Sequence, residues 1–396
     1  MLTADFLTHA SIKCGFDLAG IAPLSSFPEL DYFQQWIEGG RAGEMGYLAA
    51  RDAEGNLKRT AVSRAFPWAK SVIVCAVNYN TAERHTFPVP HSTHGPREHE
   101  TRNEKRESSE GWISRYAWSN RDYHDTLMAR LRRLETRLQE AFGPLETRCY
   151  VDTGPLIERI YARYAGVGWV GKNTCIINQR IGSWLFLGVI LTSLPFARQQ
   201  QDEHTPELLT GNRRPATRED WQLAPDRCGT CTRCLDACPT DAFPGPYQLD
   251  ASRCISYLTI EHRSELPEDL RAGMGRHVFG CDICQDVCPW NRKAPISGSP
   301  DFQARSELVN PNLQWLATIS DKDFQGTFRG SPIKRAKRTG LRRNAVVAMG
   351  NSGNRGYLPL LRELANDPDA MVARHAQWAI DRLARQSRTT DAVGHK

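Results

Sequence analysis

Apolar positions recur along the chain with periods that change at identifiable places. Phe6, Leu7, Ala10 and Cys14 repeat at helical spacing. Ser71 to Val77 (SVIVCAV) is a short β-branched run, the pattern of a strand buried on both faces. From Asp125 to Glu140, Leu127, Leu131, Leu134 and Leu138 make one apolar stripe and Arg and Glu cover the rest, which predicts an amphipathic helix. A second helix is predicted over Leu156 to Ala165 and a buried strand over Trp184 to Leu191. Residues 81–110 and 198–220 are polar and charged and read as a surface loop and a linker. The loop's histidines, His85, His91, His94 and His99, lack zinc-ligand spacing. Beyond about residue 300 helical patterns dominate, and Arg343-x-Ala345-x-x-Ala348 returns as Arg374-x-Ala376-x-x-Ala379, 31 residues on. Such a return predicts two stacked, HEAT-like helical repeats, enough for a short platform.

Strands interleaved with helices in the first half predict an α/β or α+β domain. A chain of 396 residues has room for two or three domains. With 40% hydrophobic and 24% charged residues it is not a disordered chain. The longest apolar candidate, Ile181 to Phe196, has 16 residues interrupted by Ser, Thr, Gly and Pro, so no membrane span is expected. The N-terminus lacks a basic start followed by an apolar core, so no export signal is expected and a cytoplasmic location is.

That expectation changes the meaning of the 12 cysteines, because a reducing compartment disfavours disulfides. Eight of them lie between Cys228 and Cys288. Cys228-x2-Cys231-x2-Cys234-x3-Cys238-Pro239 is the spacing of a two-cluster ferredoxin run. Three closely spaced thiolates wrap three irons of one cubane, and the fourth, before proline, reaches a second cubane. A second set follows: Cys254, then Cys281-x2-Cys284-x3-Cys288-Pro289. The crossing rule gives Cys228, Cys231, Cys234 and Cys288 to one [4Fe-4S] cluster, and Cys238, Cys254, Cys281 and Cys284 to the other. Structural zinc would use two separate pairs instead. Cys14, Cys75, Cys149 and Cys175 are scattered and read as small core residues.

Gly166-x-Gly168-x-x-Gly171 spells a dinucleotide fingerprint, but a helix precedes it and Thr174 to Ile177 looks extended, the wrong context. Lys172 precedes Asn173, so it is not a phosphate loop either. A glycine-rich turn remains, at which backbone could approach a large ligand. Asp152-Thr153-Gly154 stands alone, without the second triplet of an aspartic protease. Two readings stay open: Asp152 or Thr153 caps a helix whose first residue is Pro155, or Asp152 is a catalytic acid.

Net charge is +6, and Arg329 to Arg343 holds seven basic residues and no acid. Lys334, Arg335, Lys337, Arg338, Arg342 and Arg343, at the start of a rigid helical platform, fit phosphate binding better than a merely solvated face.

Together these motifs resemble the epoxyqueuosine reductases, cobalamin-dependent iron–sulfur enzymes of tRNA modification. The resemblance rests on Gly111 to Ala117 (GWISRYA), Asp122-Tyr-His124, Val151 to Glu158 (VDTGPLIE) and Gly166 to Asn173 (GVGWVGKN). It continues through Gly182-Ser183, both cysteine runs, Arg253 to Ile260 (RCISYLTI) and the arginine-rich tail. It implies three domains: a cobalamin-binding α/β domain over 1–215, a ferredoxin-like domain with two [4Fe-4S] clusters over 216–300, and a HEAT-like tRNA-binding domain over 301–396. It assigns the proton donor to Asp152. It assigns cobalamin contacts to Arg115, Tyr116, Asp152, Thr153, Gly168, Trp169, Gly171, Lys172, Asn173, Ser183 and Tyr257. The implied reaction converts an epoxide on the wobble base to an alkene, taking up electrons and protons and releasing water. A carboxylic acid beneath an apolar corrin would have a raised pKa, which favours the catalytic reading of Asp152. Implied partners are a tRNA anticodon stem-loop and an external low-potential electron donor, with a monomer expected. A reductive dehalogenase acting on a small organohalide would leave the basic tail without a reason. A non-enzymatic ferredoxin-type carrier would not need the long first domain.

Overall fold

The structure is a computed structural model in which residues 2–83, 109–195 and 224–393 are described. The predicted linker 198–220 and the loop's four histidines lie outside the described residues. The chain divides into two compact units. One comprises Met1–Gly39, Leu48–Asn78 and His124–Cys231, the other Gly40–Tyr47, Tyr79–Tyr123 and Thr232–Lys396.

In the first unit, four strands form one sheet in the order Leu18–Pro23, Ser71–Asn78, Leu185–Thr192, Thr147–Tyr150. Every neighbouring pair is antiparallel, so of the two predicted classes this is the α+β arrangement. Ser71–Asn78 is buried at every position, as its unbroken apolar run requires. One face, with Val72, Val74, Ala76, Val189 and Leu191, packs on Leu156, Ile160, Tyr161 and Ala162 of the short helix Glu158–Tyr164 and its approach. A side chain at Gly20 would collide with the Ala165 carbonyl, so the edge strand and the end of this helix touch through backbone. On the opposite face a Cβ at Gly188 would lie 3.0 Å from Leu131, which brings in the helix Tyr123–Phe142. Leu127, Leu131, Leu134 and Leu138 are all 0% exposed there. Each contributes roughly 1.5–3 kcal/mol by leaving water. Cys14, Cys75 and Cys149 are buried, and Cys75 lies within electrostatic reach of the other two. Burial pushes Cys149 up to about 12, so it is an inert core thiol, as read from the sequence.

In the second unit, Trp112–Ile113 pairs in parallel with His277–Phe279. The two predicted repeat helices are Lys337–Asn351 and Ala370–Val393. They approach closely, because a Cβ at Gly350 would lie 2.9 Å from the Ala379 Cα. Ala345, Ala348, Ala376 and Ala379 are at most 1% exposed. Thr232–Lys396, with six of the eight clustered cysteines and the helical tail, falls in one unit. The reason is polar as well as apolar. Asn344, on the helix Lys337–Asn351, donates to the carbonyls of Thr259 at 2.8 Å and Val278 at 2.9 Å.

Candidate functional site

In the first unit the segment after strand Thr147–Tyr150 does not enter a helix at Pro155. The helix begins at Glu158, its flanking Ile157 makes no side-chain cap, and neither Asp152 nor Thr153 serves as one. The helix-cap reading is therefore corrected. Instead the chain turns sharply at Asp152, whose φ is +56°, and the Thr153 amide donates to the Val151 carbonyl at 2.6 Å. That is a three-residue γ-turn with a non-glycine residue in the left-handed region, a conformation that costs on the order of 1–3 kcal/mol and concentrates at functional sites. Two bonds brace it. The Asp152 amide donates to the Glu158 carboxyl at 2.7 Å, and Arg59 donates to the Leu156 carbonyl at 3.0 Å. The Asp152 side chain is 50% exposed, with His124 Nε2 3.8 Å from its Oδ2. Burial, then the Asp152 carboxylate, push the Glu158 carboxyl up to about 8, while the Asp152 amide hydrogen bond, Arg59 and Arg159 pull it down. The sequence motif contained Glu158 and His124, but local spacing gave neither a role.

Gly166 to Asn173 forms a β-hairpin, Trp169–Val170 against Ile176–Ile177, after a helix. The rejection of a dinucleotide site stands, since that fingerprint needs strand before helix. The glycines answer to the hairpin itself. Gly166 has φ +73°, and side chains at Gly168 and Gly171 would collide with the Ile177 carbonyl and the Ile177 side chain. Lys172 is buried and donates to the Gly229 carbonyl at 2.6 Å, and Asn173 accepts from the Cys175 amide at 3.2 Å. Ser183 is buried too. Burial raises the Cys228 thiol, and hydrogen bonds from the Lys172 amide and the Trp169 indole lower it. This hairpin therefore cradles the start of the first cysteine run.

In the second unit, the half-buried Cys238, Cys254 and Cys281 lie within electrostatic reach of one another. Burial raises Cys281 well above the ordinary thiol range, and Cys254 and Cys238 add to it. Cys254 is raised by burial and by Cys238, while amides of Ser256 and Tyr257 hydrogen-bond its sulfur and lower it. Mutually repelling sulfurs in a half-buried place, with amides directed at one of them, suit thiolates neutralised by iron. Among the described residues no group of three or more His, Cys, Asp or Glu side chains is gathered as a single metal ion requires. In a four-iron cubane each thiolate takes its own iron.

Arg115 is 3% exposed and fastens the second cysteine run. It forms an ion pair with Asp286 at 3.2 Å and donates to Asn80 at 2.9 Å, and its amide donates to Asp282 at 2.7 Å. Ser114 also donates to Asp282. Tyr116 packs against Tyr123 and Phe279. The Tyr257 hydroxyl accepts from the Glu44 amide at 2.7 Å.

The basic run is largely committed to the protein. Arg343 is 1% exposed and donates to the carbonyls of Leu258, His262 and Ser264 at 2.8–3.0 Å. Arg342, 7% exposed, is paired with Asp367 at 2.5 Å and donates to the Ala317 carbonyl at 2.8 Å. Both were expected to contact phosphate; their burial corrects that. Arg335 pairs with Glu261 at 2.8 Å and Arg338 with Asp321 at 2.8 Å. Lys337 is exposed and Lys334 half-buried.

Residues 227–291 match a family model described as a 4Fe-4S double cluster binding domain. Residues 59–153 match one described as Epoxyqueuosine reductase QueG, DUF1730. An epoxyqueuosine reductase of Pseudomonas aeruginosa is 36% identical over 93% of this chain and 91% of its own length. A crystal structure of epoxyqueuosine reductase with an epoxyqueuosine-modified tRNA-Tyr stem loop superposes with TM-score 0.75 and 30% identity, covering 99% of this chain and 94% of that one. The Bacillus subtilis epoxyqueuosine reductase, with an aspartate catalytic loop swung out of its active site, superposes with TM-score 0.75 and 29% identity over the same shares. With that identity spread over nearly the whole length of both chains, this protein belongs to the epoxyqueuosine reductase family.

Proposed function

We propose that this oxidoreductase reduces epoxyqueuosine in the anticodon loop of tRNA, with Asp152 as proton donor. The observation that carries the assignment is the Asp152 turn: a half-exposed carboxyl fixed at φ +56° by hydrogen bonds on both sides. The relative whose aspartate catalytic loop swings out supports reading this turn as its counterpart. Going from epoxide to alkene consumes two electrons and two protons and releases water, and the alkoxide released on ring opening is too basic to leave without an acid beside it. We assign that role to Asp152, whose Oδ2 has His124 Nε2 3.8 Å away.

The double-cluster domain supplies the electron path from an external low-potential donor. We assign Cys228, Cys231, Cys234 and Cys288 to one cluster and Cys238, Cys254, Cys281 and Cys284 to the other. Trp169 and Lys172 hold Cys228, and Arg115 holds the second run. Cobalamin, when bound, would supply a cobalt centre able to deliver electrons to the substrate carbon. Asp152 and Thr153 are the exposed members of its expected contact set, which suits a face turned to a ligand. Trp169, Lys172, Asn173 and Ser183 are buried and would shape that face from beneath. Lys334 and Lys337 are assigned to tRNA phosphates. The enzyme is read as a cytoplasmic monomer.

Asp152→Asn keeps the size and removes the transferable proton. It should retain iron content and tRNA affinity and lose turnover by about a hundredfold or more. Turnover near that of the unmodified protein would exclude Asp152 as donor.

A further inference from the structure

The Asp152 turn holds a backbone conformation that a non-glycine residue rarely adopts, so something must over-determine it. The Thr153–Val151 hydrogen bond closes the turn but does not set its direction. Glu158, at the first position of the next helix, grips the Asp152 backbone directly: its carboxyl oxygen lies 2.7 Å from the Asp152 amide nitrogen. That helix is fixed in turn, with Ile160 and Ala162 packed in the core beneath the sheet.

We infer that Glu158 is a positioning residue of the reductase: by accepting the Asp152 amide, it holds the turn that presents the Asp152 carboxyl to substrate. This rests on the reading of Asp152 as proton donor. Two carboxyl groups this close would repel if both were charged. Glu158 is biased toward its protonated form, since burial and the Asp152 carboxylate raise it while the Asp152 amide hydrogen bond, Arg59 and Arg159 oppose the rise without abolishing it. An uncharged carboxyl accepts an amide hydrogen bond as well as a carboxamide does. The task therefore calls for an acceptor of the right length, and no negative charge.

Three variants separate the possibilities. Glu158→Gln keeps the length and the acceptor and should turn over within about threefold of the unmodified enzyme at pH 7. Glu158→Ala removes the acceptor, and Glu158→Asp draws it back by one methylene. Both should lose kcat by roughly five- to tenfold, the worth of a hydrogen bond of about 1 kcal/mol, with KM for tRNA unchanged. Hydrogen exchange of the 150–156 backbone gives a readout independent of turnover. It should accelerate in Glu158→Ala and Glu158→Asp and stay slow in Glu158→Gln. Unchanged exchange in Glu158→Ala, or Glu158→Gln as impaired as Glu158→Ala, would overturn the inference. Asp152→Asn run alongside tells the two readings apart. If it is inactive while Glu158→Ala is fully active, the positioning role alone falls; if it is active, the donor reading falls and this inference with it.

Discussion

Replacing Arg343 by methionine distinguishes a structural guanidinium from a phosphate contact. The side chain is 1% exposed and donates to the carbonyls of Leu258, His262 and Ser264 and to the Asn344 side chain. Methionine keeps the bulk and strands the buried Leu258 carbonyl and the part-buried carbonyls of His262 and Ser264. At about 3 kcal/mol for the first and ~1.5 kcal/mol for each of the others the gross loss is about 6 kcal/mol. Part of it is returned, because the guanidinium itself sits at a cost. Burial, and then the charges of Arg263 and Arg271, push Arg343 down to about 10, which corresponds to roughly 3 kcal/mol against its charged form. The net is a destabilisation of about 3 kcal/mol, or roughly 6–12 °C in the melting of a unit this size. Two of the orphaned carbonyls lie just beyond Cys254, on and after the helix Ile255–Ile260, so iron should be lost before global unfolding. The assay is an anaerobic thermal melt followed by cluster absorbance and by far-UV circular dichroism, beside a tRNA titration at several salt concentrations. A melting point equal to that of the unmodified protein, with a salt slope shallower by about 0.7, would mean that Arg343 meets phosphate and that the burial argument fails.

Anaerobic protein should hold about eight irons, and Cys288→Ala should damage the cluster of Cys228, Cys231 and Cys234 while sparing the other, read by electron paramagnetic resonance. Changing Lys334 and Lys337 together to serine should flatten the salt dependence of tRNA binding by about 1.4, at roughly 0.7 per contact, with no change in iron content; an unchanged slope would place the phosphates elsewhere. His375 is buried, takes the Leu266 amide on Nε2 at 3.2 Å, and is pushed down to about 4 by burial. Its unfolded form binds a proton that the folded form refuses, so this stability is present above about pH 6.5 and lost as pH falls toward 4. The loss is roughly 3 kcal/mol, and His375→Gln should remove most of that dependence in denaturant melts at stepped pH.

Features written in local periodicity were legible in the sequence. The β-branched run 71–77 and the leucine stripe of Tyr123–Phe142 are buried as their spacing requires. The cysteine runs carry their ligand chemistry in their spacing alone. What escaped depends on partners distant in sequence. Seven basic residues among fifteen with no acid look like a polyanion surface, yet Arg343 serves carbonyls 79–85 residues away, and no local pattern reports an acceptor at that separation. Proline after an Asp-Thr-Gly suggested a capped helix start. The helix begins three residues later, because Glu158 draws the Asp152 amide into a turn first. Gly168 and Gly171 looked ligand-directed, and the hairpin's own packing also requires them, a demand that local spacing does not display.

The most direct test of the central claim is nucleoside mass spectrometry of epoxyqueuosine-bearing tRNA after anaerobic incubation with the iron-loaded protein, cobalamin and a low-potential reductant. The account predicts conversion to the nucleoside one oxygen lighter, dependent on both cobalamin and reductant. Retention of the epoxide oxygen by protein that carries its full iron complement and binds the tRNA would contradict it.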